Sequence, residues 1–267
     1  MSNIDTLINR SGVHEDWQPI LHESLLTLDP GYLKSLLRDD GWLPGVDRLL
    51  AAFQRDRSGV DYLLIGESPY PRKQSANGIA FYDAAVDSLW SEQGMSKAVN
   101  RATSLRNLIK TALLAEGHLQ RDADGKITQH AIAQLDKNDL IQTLAELFDN
   151  LERAGFLMLN ATPVLHPQRK PALEARYWQQ FLERLLALTA QSTKQLPTLL
   201  LWGEENHTAH FEQAHEFQDL LGNVESLEFI SYPGVGHMAV QEAGAETGRD
   251  VRAFLDARRT ATRAAEE

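Results

Sequence analysis

Four short apolar runs, at residues 61–66, 156–160, 198–203 and 226–231, constrain this 267-residue chain more than any other feature. Most are continuously apolar, as strands of a parallel sheet covered on both faces are. Parallel neighbours need long crossovers, and helical periodicity fills the intervals. Thr103-Ser104 predicts the cap of a helix carrying Leu105, Leu108, Ile109, Ala112 and Leu113, with Gly117 as its stop. Asp139 predicts the cap of a second, with Leu140, Leu144, Leu147, Phe148 and Leu151, ending near Gly155. A third carries Trp178, Phe181, Leu182, Leu185 and Leu186. Residues 120–130, with Asp122, Asp124 and Gly125, read as an exposed turn. The alternation predicts one α/β domain over residues 1–267, a three-layer α/β/α sandwich around a mostly parallel four-stranded sheet. Residues 1–11 and 258–267 are expected to be flexible tails. Ligands of such sheets gather at the carboxyl ends of the strands. The polar residues there are Glu67-Ser68, Asn160 and those following Gly203 and Ser231.

Composition narrows the chemistry. The absence of cysteine removes disulfides, thiolate nucleophiles and thiolate metal sites, and fits a reducing, cytoplasmic location. No apolar run approaches the roughly 20 residues of a membrane span. The start, Met-Ser-Asn-Ile-Asp, has no basic segment leading into an apolar stretch, so neither a signal peptide nor a membrane partner is expected. A net charge of -11 weighs against a generic nucleic-acid binder. The distribution says more. Residues 72–110 hold six basic side chains against three acidic ones, so that segment is +3 and the rest of the chain is -14. His207 and His210 follow an apolar run three apart, but no third ligand is apparent, so no metal or other cofactor is expected.

The segment after the first apolar run reads Gly-Glu-Ser-Pro-Tyr-Pro-Arg-Lys-Gln-Ser-Ala-Asn-Gly-Ile-Ala-Phe, residues 66–81. Ten residues separate Pro69-Tyr70 from Phe81, and Gly78 stands three before the Phe. This pattern resembles the water-activating and base-stacking segment of uracil-DNA glycosylases, where Gly-Gln-Asp-Pro-Tyr leads to Gly-x-x-Phe at the same separation. The run ending Leu-Met-Leu-Asn at Asn160 is similar to the family's Leu-Leu-Leu-Asn strand. Thr103-Ser104-Leu105-Arg106-Asn107 resembles its DNA-contacting Ser-Leu-x-Asn, and Trp17 and residues 30–33 match loosely. The likeness covers about residues 17–203. It implies that Phe81 stacks on a flipped base, Asn160 reads the base edge, and Tyr70 crowds out a thymine methyl. Arg72, Lys73, Arg101, Thr103, Ser104 and Arg106 would then meet DNA. Alone, each residue also has an ordinary reading: a core Phe, a turn Asn, a packed Tyr or a helix cap.

The resemblance implies an N-glycosyl hydrolase acting on DNA that contains a modified base, as a monomer. It breaks at two points. The family's water-orienting Asp is Ser68, with Glu67 adjacent. Its His-Pro is matched by Tyr232-Pro233, with His237 a few residues later. The result is a slow enzyme, one tuned to another base, or a silent DNA- or protein-binding module. A further alternative is an α/β-hydrolase with Ser68 as nucleophile and His237 as base, although Tyr70 occupies the last Gly of the nucleophile elbow.

Overall fold

The structure, a computed structural model, describes residues 2–122, 127–192, 198–205, 215, 218–219, 227–236 and 239–266. His207, His210 and His237, and Asp124 and Gly125 of the expected turn, lie outside the described residues. The chain divides into two compact units, Met1–Ser88 with Ile141–Leu196, and Leu89–Leu140 with Pro197–Glu267.

The first unit holds α1 (Asn3–Arg10), α2 (Gln18–Leu25), α3 (Pro30–Arg38) and strand β1 (Tyr62–Gly66). The second unit begins with the hairpin strands β2 (Trp90–Ser91) and β3 (Gly94–Met95), followed by α4 (Lys97–Arg101), α5 (Thr103–Ala115) and α6 (Gln129–Ala133). Helix α7 (Leu144–Arg153), strand β4 (Phe156–Asn160) and helix α8 (Pro171–Ser192) return to the first. Strands β5 (Thr198–Gly203) and β6 (Leu227–Tyr232) and helices Ala239–Glu242 and Gly244–Glu266 complete the second.

Among the described residues the four expected strands pair two by two, β1 with β4 and β5 with β6, both parallel. In the first pair Tyr62 faces Phe156 and Gly66 faces Asn160, so both strands end level. Burial is uneven. Leu157, Met158 and Leu159 of β4 are buried, whereas Ile65 of β1 is 38 % exposed. Burial of the kind expected of these runs therefore holds for residues 157–160 of β4 and not for β1, which pairs with β4 alone among the described residues.

The core of the first unit gathers Leu7, Trp17, Leu21, Leu25, Trp42, Leu157, Leu159, Trp178 and Phe181. Where a flexible tail is expected, residues 2–11 carry helix α1 with both its caps. Ser2 and Asp5 form a reciprocal capping box, and Ile4, Leu7 and Ile8 are buried. At the other end, Gly244–Glu266 is helical through 258–266. Helix α8 buries its stripe at Trp178, Phe181, Leu182, Leu185 and Leu186, in line with the sequence periodicity. Two caps differ from expectation. The cap of α7 is Thr143, whose hydroxyl accepts the Glu146 N–H at 3.1 Å, while the peptide after Asp139 closes a turn, Leu140 N–H donating to the Lys137 carbonyl at 3.1 Å. Helix α5 starts from Ala102, whose carbonyl accepts the Arg106 N–H at 2.8 Å, so Thr103 and Ser104 already lie within the first turn. Among the described residues no helix is long and apolar enough to cross a membrane.

Candidate base-binding site

The site in the first unit grows out of the level strand ends. Pairing runs two residues past them: Ala161 N–H donates to the Gly66 carbonyl at 2.8 Å, and Thr162 N–H to the Glu67 carbonyl at 2.9 Å. Glu67 and Ser68 are thereby held beside the turn that follows Asn160. Ser68 is half-buried, and its hydroxyl has no hydrogen-bond partner among the described residues; Glu67 is exposed.

Gly66 shows how closely the parts converge. A Cβ there would lie 3.0 Å from Ala80 Cβ, 3.4 Å from the Phe81 ring and 3.5 Å from Asn160 Oδ1. Residues 66, 81 and 160 therefore meet around a point where even a Cβ would be a tight fit. Asn160 is 8 % exposed, and its amide has no hydrogen-bond partner among the described residues. Neither amide atom is among the fully shielded, unpaired polar atoms of the described residues, so the amide stays open to solvent or to a ligand. An amide offers a donor and an acceptor side by side, the complement of a pyrimidine edge.

Phe81 is held in the left-handed region, at φ 65°, where no other described non-glycine residue stands. That conformation costs about 1–3 kcal/mol and persists only where the surroundings enforce it, commonly at ligand sites. Gly78 makes the turn before it possible. Its φ is 89°, and a Cβ would fall 1.8 Å from the Arg48 carbonyl oxygen. Tyr70 stands at the edge of the same loop, its hydroxyl donating to the Phe81 carbonyl over a long 3.4 Å. The structure thus brings Tyr70, Phe81 and Asn160 together with Gly66, a residue whose part sequence reasoning had not singled out. Only the motif position of Gly66, directly after an apolar run, could have signalled it.

The basic residues divide. The Arg72 guanidinium bonds Asp83 at 2.5 Å and the Ser75 hydroxyl at 3.0 Å. Lys73 beside it is exposed and unpaired among the described residues. In the second unit, Arg101 is likewise exposed and unpaired, whereas Arg106 donates to the Asn100 carbonyl at 3.0 Å. Burial, with Arg106 nearby, lowers the pKa of Lys110. The first turn of α5 carries no side-chain cap.

Tyr232 closes β6, and its hydroxyl donates to Asp250 at 2.7 Å. Burial, reinforced by that carboxylate, raises its pKa. In the same unit the Ser231 hydroxyl donates to Glu204 at 2.6 Å. Among the described residues no group of three His, Cys, Asp or Glu could hold a metal ion.

No protein-family model matches the chain. It is similar to the UNG crystal structure from Nitratifractor salsuginis, at 34% identity over 94% of this chain and 95% of that one, with a TM-score of 0.73. A single-residue variant of that protein matches at 35% over 95% and 97%, with a TM-score of 0.74. The uracil-DNA glycosylase of Corynebacterium glutamicum is 24% identical over 223 residues, 79% of this chain and 76% of that protein. With more than a third of its residues shared along nearly the whole length of a solved relative, and with Gly66, Phe81 and Asn160 converging at the strand ends, the chain belongs to the uracil-DNA glycosylase family.

Proposed function

We propose that this chain takes a uracil-like base flipped out of DNA and hydrolyses its N-glycosidic bond, at a rate limited by Ser68. The observation that carries the reading is the convergence of the strained Phe81 and the unpaired Asn160 amide on Gly66. A base inside a duplex is out of reach, so the enzyme needs a pocket that receives it unstacked. Phe81 supplies an aromatic face, Asn160 the edge reader, and Tyr70 the wall. Lys73, Arg101 and the open first turn of α5 are proposed to meet phosphates, the last because free N–H groups and the helix dipole favour an anion.

Breaking the bond builds positive charge on the sugar and negative charge on the departing base. A carboxylate at position 68 would fix the attacking water and stabilise the sugar cation. The Ser68 hydroxyl can hold water but carries no charge, and Glu67 is the nearest carboxylate in sequence. For the departing base, the Tyr232 hydroxyl is already committed to Asp250. His237→Ala is therefore the more informative variant there. Ser68 also favours a second reading, in which the fold binds DNA without cleaving it. The family assignment stands against the α/β-hydrolase alternative.

Ser68→Asp is expected to raise the rate on uracil-containing oligonucleotides by about 10-fold or more, part of the range of a general base. Phe81→Ala should weaken base binding by about 1–3 kcal/mol, the value of one aromatic stack. Asn160→Ala should abolish discrimination between bases. If neither wild type nor Ser68→Asp releases a base while DNA binding persists, the chain is a binding module. If Phe81→Ala and Asn160→Ala both leave base binding unchanged in folded protein, the pocket is elsewhere.

A further inference from the structure

We propose that Arg72 and Asp83 form a clasp that holds Phe81 in its stacking position, which makes both of them positioning residues and removes Arg72 from the set that touches DNA. The proposal rests on the base pocket described above and deepens it.

Phe81 needs such a device because nothing local favours a left-handed phenylalanine. The bonds closest to it are long: Tyr70 Oη to the Phe81 carbonyl is 3.4 Å, and Ala80 N–H to the Met158 carbonyl is 3.4 Å. The short bonds lie farther out and converge on Arg72. Its carbonyl accepts from Ser75 and Ala76, both at 2.9 Å, and Ala84 N–H donates back to the Ser75 carbonyl at 3.0 Å. Its guanidinium then spans the loop, with Nε on Ser75 at 3.0 Å and a terminal nitrogen on Asp83 at 2.5 Å. Asp83, two residues beyond Phe81, is aimed inward with its side chain 1% exposed, and its second oxygen accepts the Ala85 N–H at 3.0 Å. The ends of the strained segment are thus tied by a charge-assisted pair whose carboxylate is shut away from water.

The same geometry decides the role of Arg72. A phosphate-binding arginine needs its planar fork open, and here the fork already serves a hydroxyl and a buried carboxylate. Losing the arginine would leave that carboxylate buried without a counter-charge. Lys73 has no such engagement and faces solvent.

The test uses the full chain with ¹³C-labelled phenylalanine, the Phe81 ring signals being assigned through Phe81→Leu. Arg72→Ala and Asp83→Asn should each shift or broaden those signals and weaken binding of free uracil about 10-fold, the order of one charged hydrogen bond. Combining them should add little, because both break the same link. Neither should change the dependence of DNA affinity on salt, whereas Lys73→Ala should lower its logarithmic slope by about 1 and leave Phe81 untouched. Arg72→Lys, which keeps charge but loses the fork, should fall between wild type and Arg72→Ala, and with Asp83→Asn it carries the test if Arg72→Ala does not fold. Phe81 signals unchanged in folded Arg72→Lys, Arg72→Ala and Asp83→Asn would overturn the clasp, as would a salt slope reduced by about 1 in Arg72→Ala. If wild type binds no uracil but the variants still disturb the ring, the pocket reading fails and the clasp stands.

Discussion

The loop leading to Phe81 and the turn beginning at Tyr232 handle their polar groups in opposite ways. Around Phe81 the ion pair is satisfied, yet the ring is strained and the Asn160 amide is left unpaired. At Tyr232 the hydroxyl is fully employed by Asp250, and the adjacent Ser231 by Glu204. Backbone strain persists only where the surroundings enforce it, and an amide that bonds no other side chain or backbone group remains available to a ligand. A group whose hydrogen bond is already made internally offers a ligand little. On this contrast we propose that Tyr232 is structural and that the strand ends at Gly66 and Asn160 form the site.

The largest effect expected from breaking this contrast is at Gly78. Gly78→Ala would force a side chain into a left-handed backbone and onto the Arg48 carbonyl. A loss of about 4 kcal/mol of stability is expected, from strain and overpacking together, read by denaturant unfolding. A loss under about 1 kcal/mol would mean that the Phe81 loop is not rigidly determined.

Tyr232→Phe comes next. It removes the bond to Asp250 and should cost about 1.5–3 kcal/mol, the range for a hydrogen bond to a charged group, while glycosylase activity stays within about threefold of wild type. The raised pKa gives this a pH signature. A tyrosine whose folded pKa lies above its unfolded value of 10.0 adds stability that is present below pH 10 and lost as the pH climbs past it. The variant should therefore lose less stability than wild type above pH 10. Abolished activity would return Tyr232 to the reaction and erase the contrast.

The smallest effect lies at Asp39, in the first unit. His166 Nδ1 accepts the Gln168 N–H at 3.1 Å, so its Nε2 carries the proton donated to Asp39 at 2.9 Å. That bond first, then the Gly41 N–H, lowers the Asp39 pKa below 3.8. A depressed carboxylate contributes stability above its unfolded pKa that disappears as the pH falls below it. Asp39→Asn should slightly flatten the acid limb of the stability curve below pH 4 and leave base binding alone. A change in uracil affinity would extend the site to the loop after Asn160.

Sequence alone determined the parts of this protein whose chemistry is short-range. Continuous apolar runs announced β4 and β5 at their observed bounds, and β1 and β6 to within a residue. The helical stripe of α8 was legible for the same reason, since burial periodicity is written in consecutive residues. The spacing from Pro69-Tyr70 to Phe81 carried the family resemblance. Other features were decided by tertiary structure because their partners are distant. The core supplied the burial that turns residues 3–10 into a helix. Nothing near Arg72 in sequence announces that a carboxylate 11 residues later will claim its guanidinium, or near Tyr232 that Asp250 will take its hydroxyl 18 residues on. Gly66 looked like one more motif glycine until strand pairing set it against Asn160 and the loop set Phe81 over it. The choice of Thr143 over Asp139 as the cap of α7, and the start of α5 at Ala102 ahead of Thr103-Ser104, turned on where the folded backbone placed each helix end. Residue types limit which interactions are possible, and only the closed chain, by excluding water and fixing distances, settles which of them form.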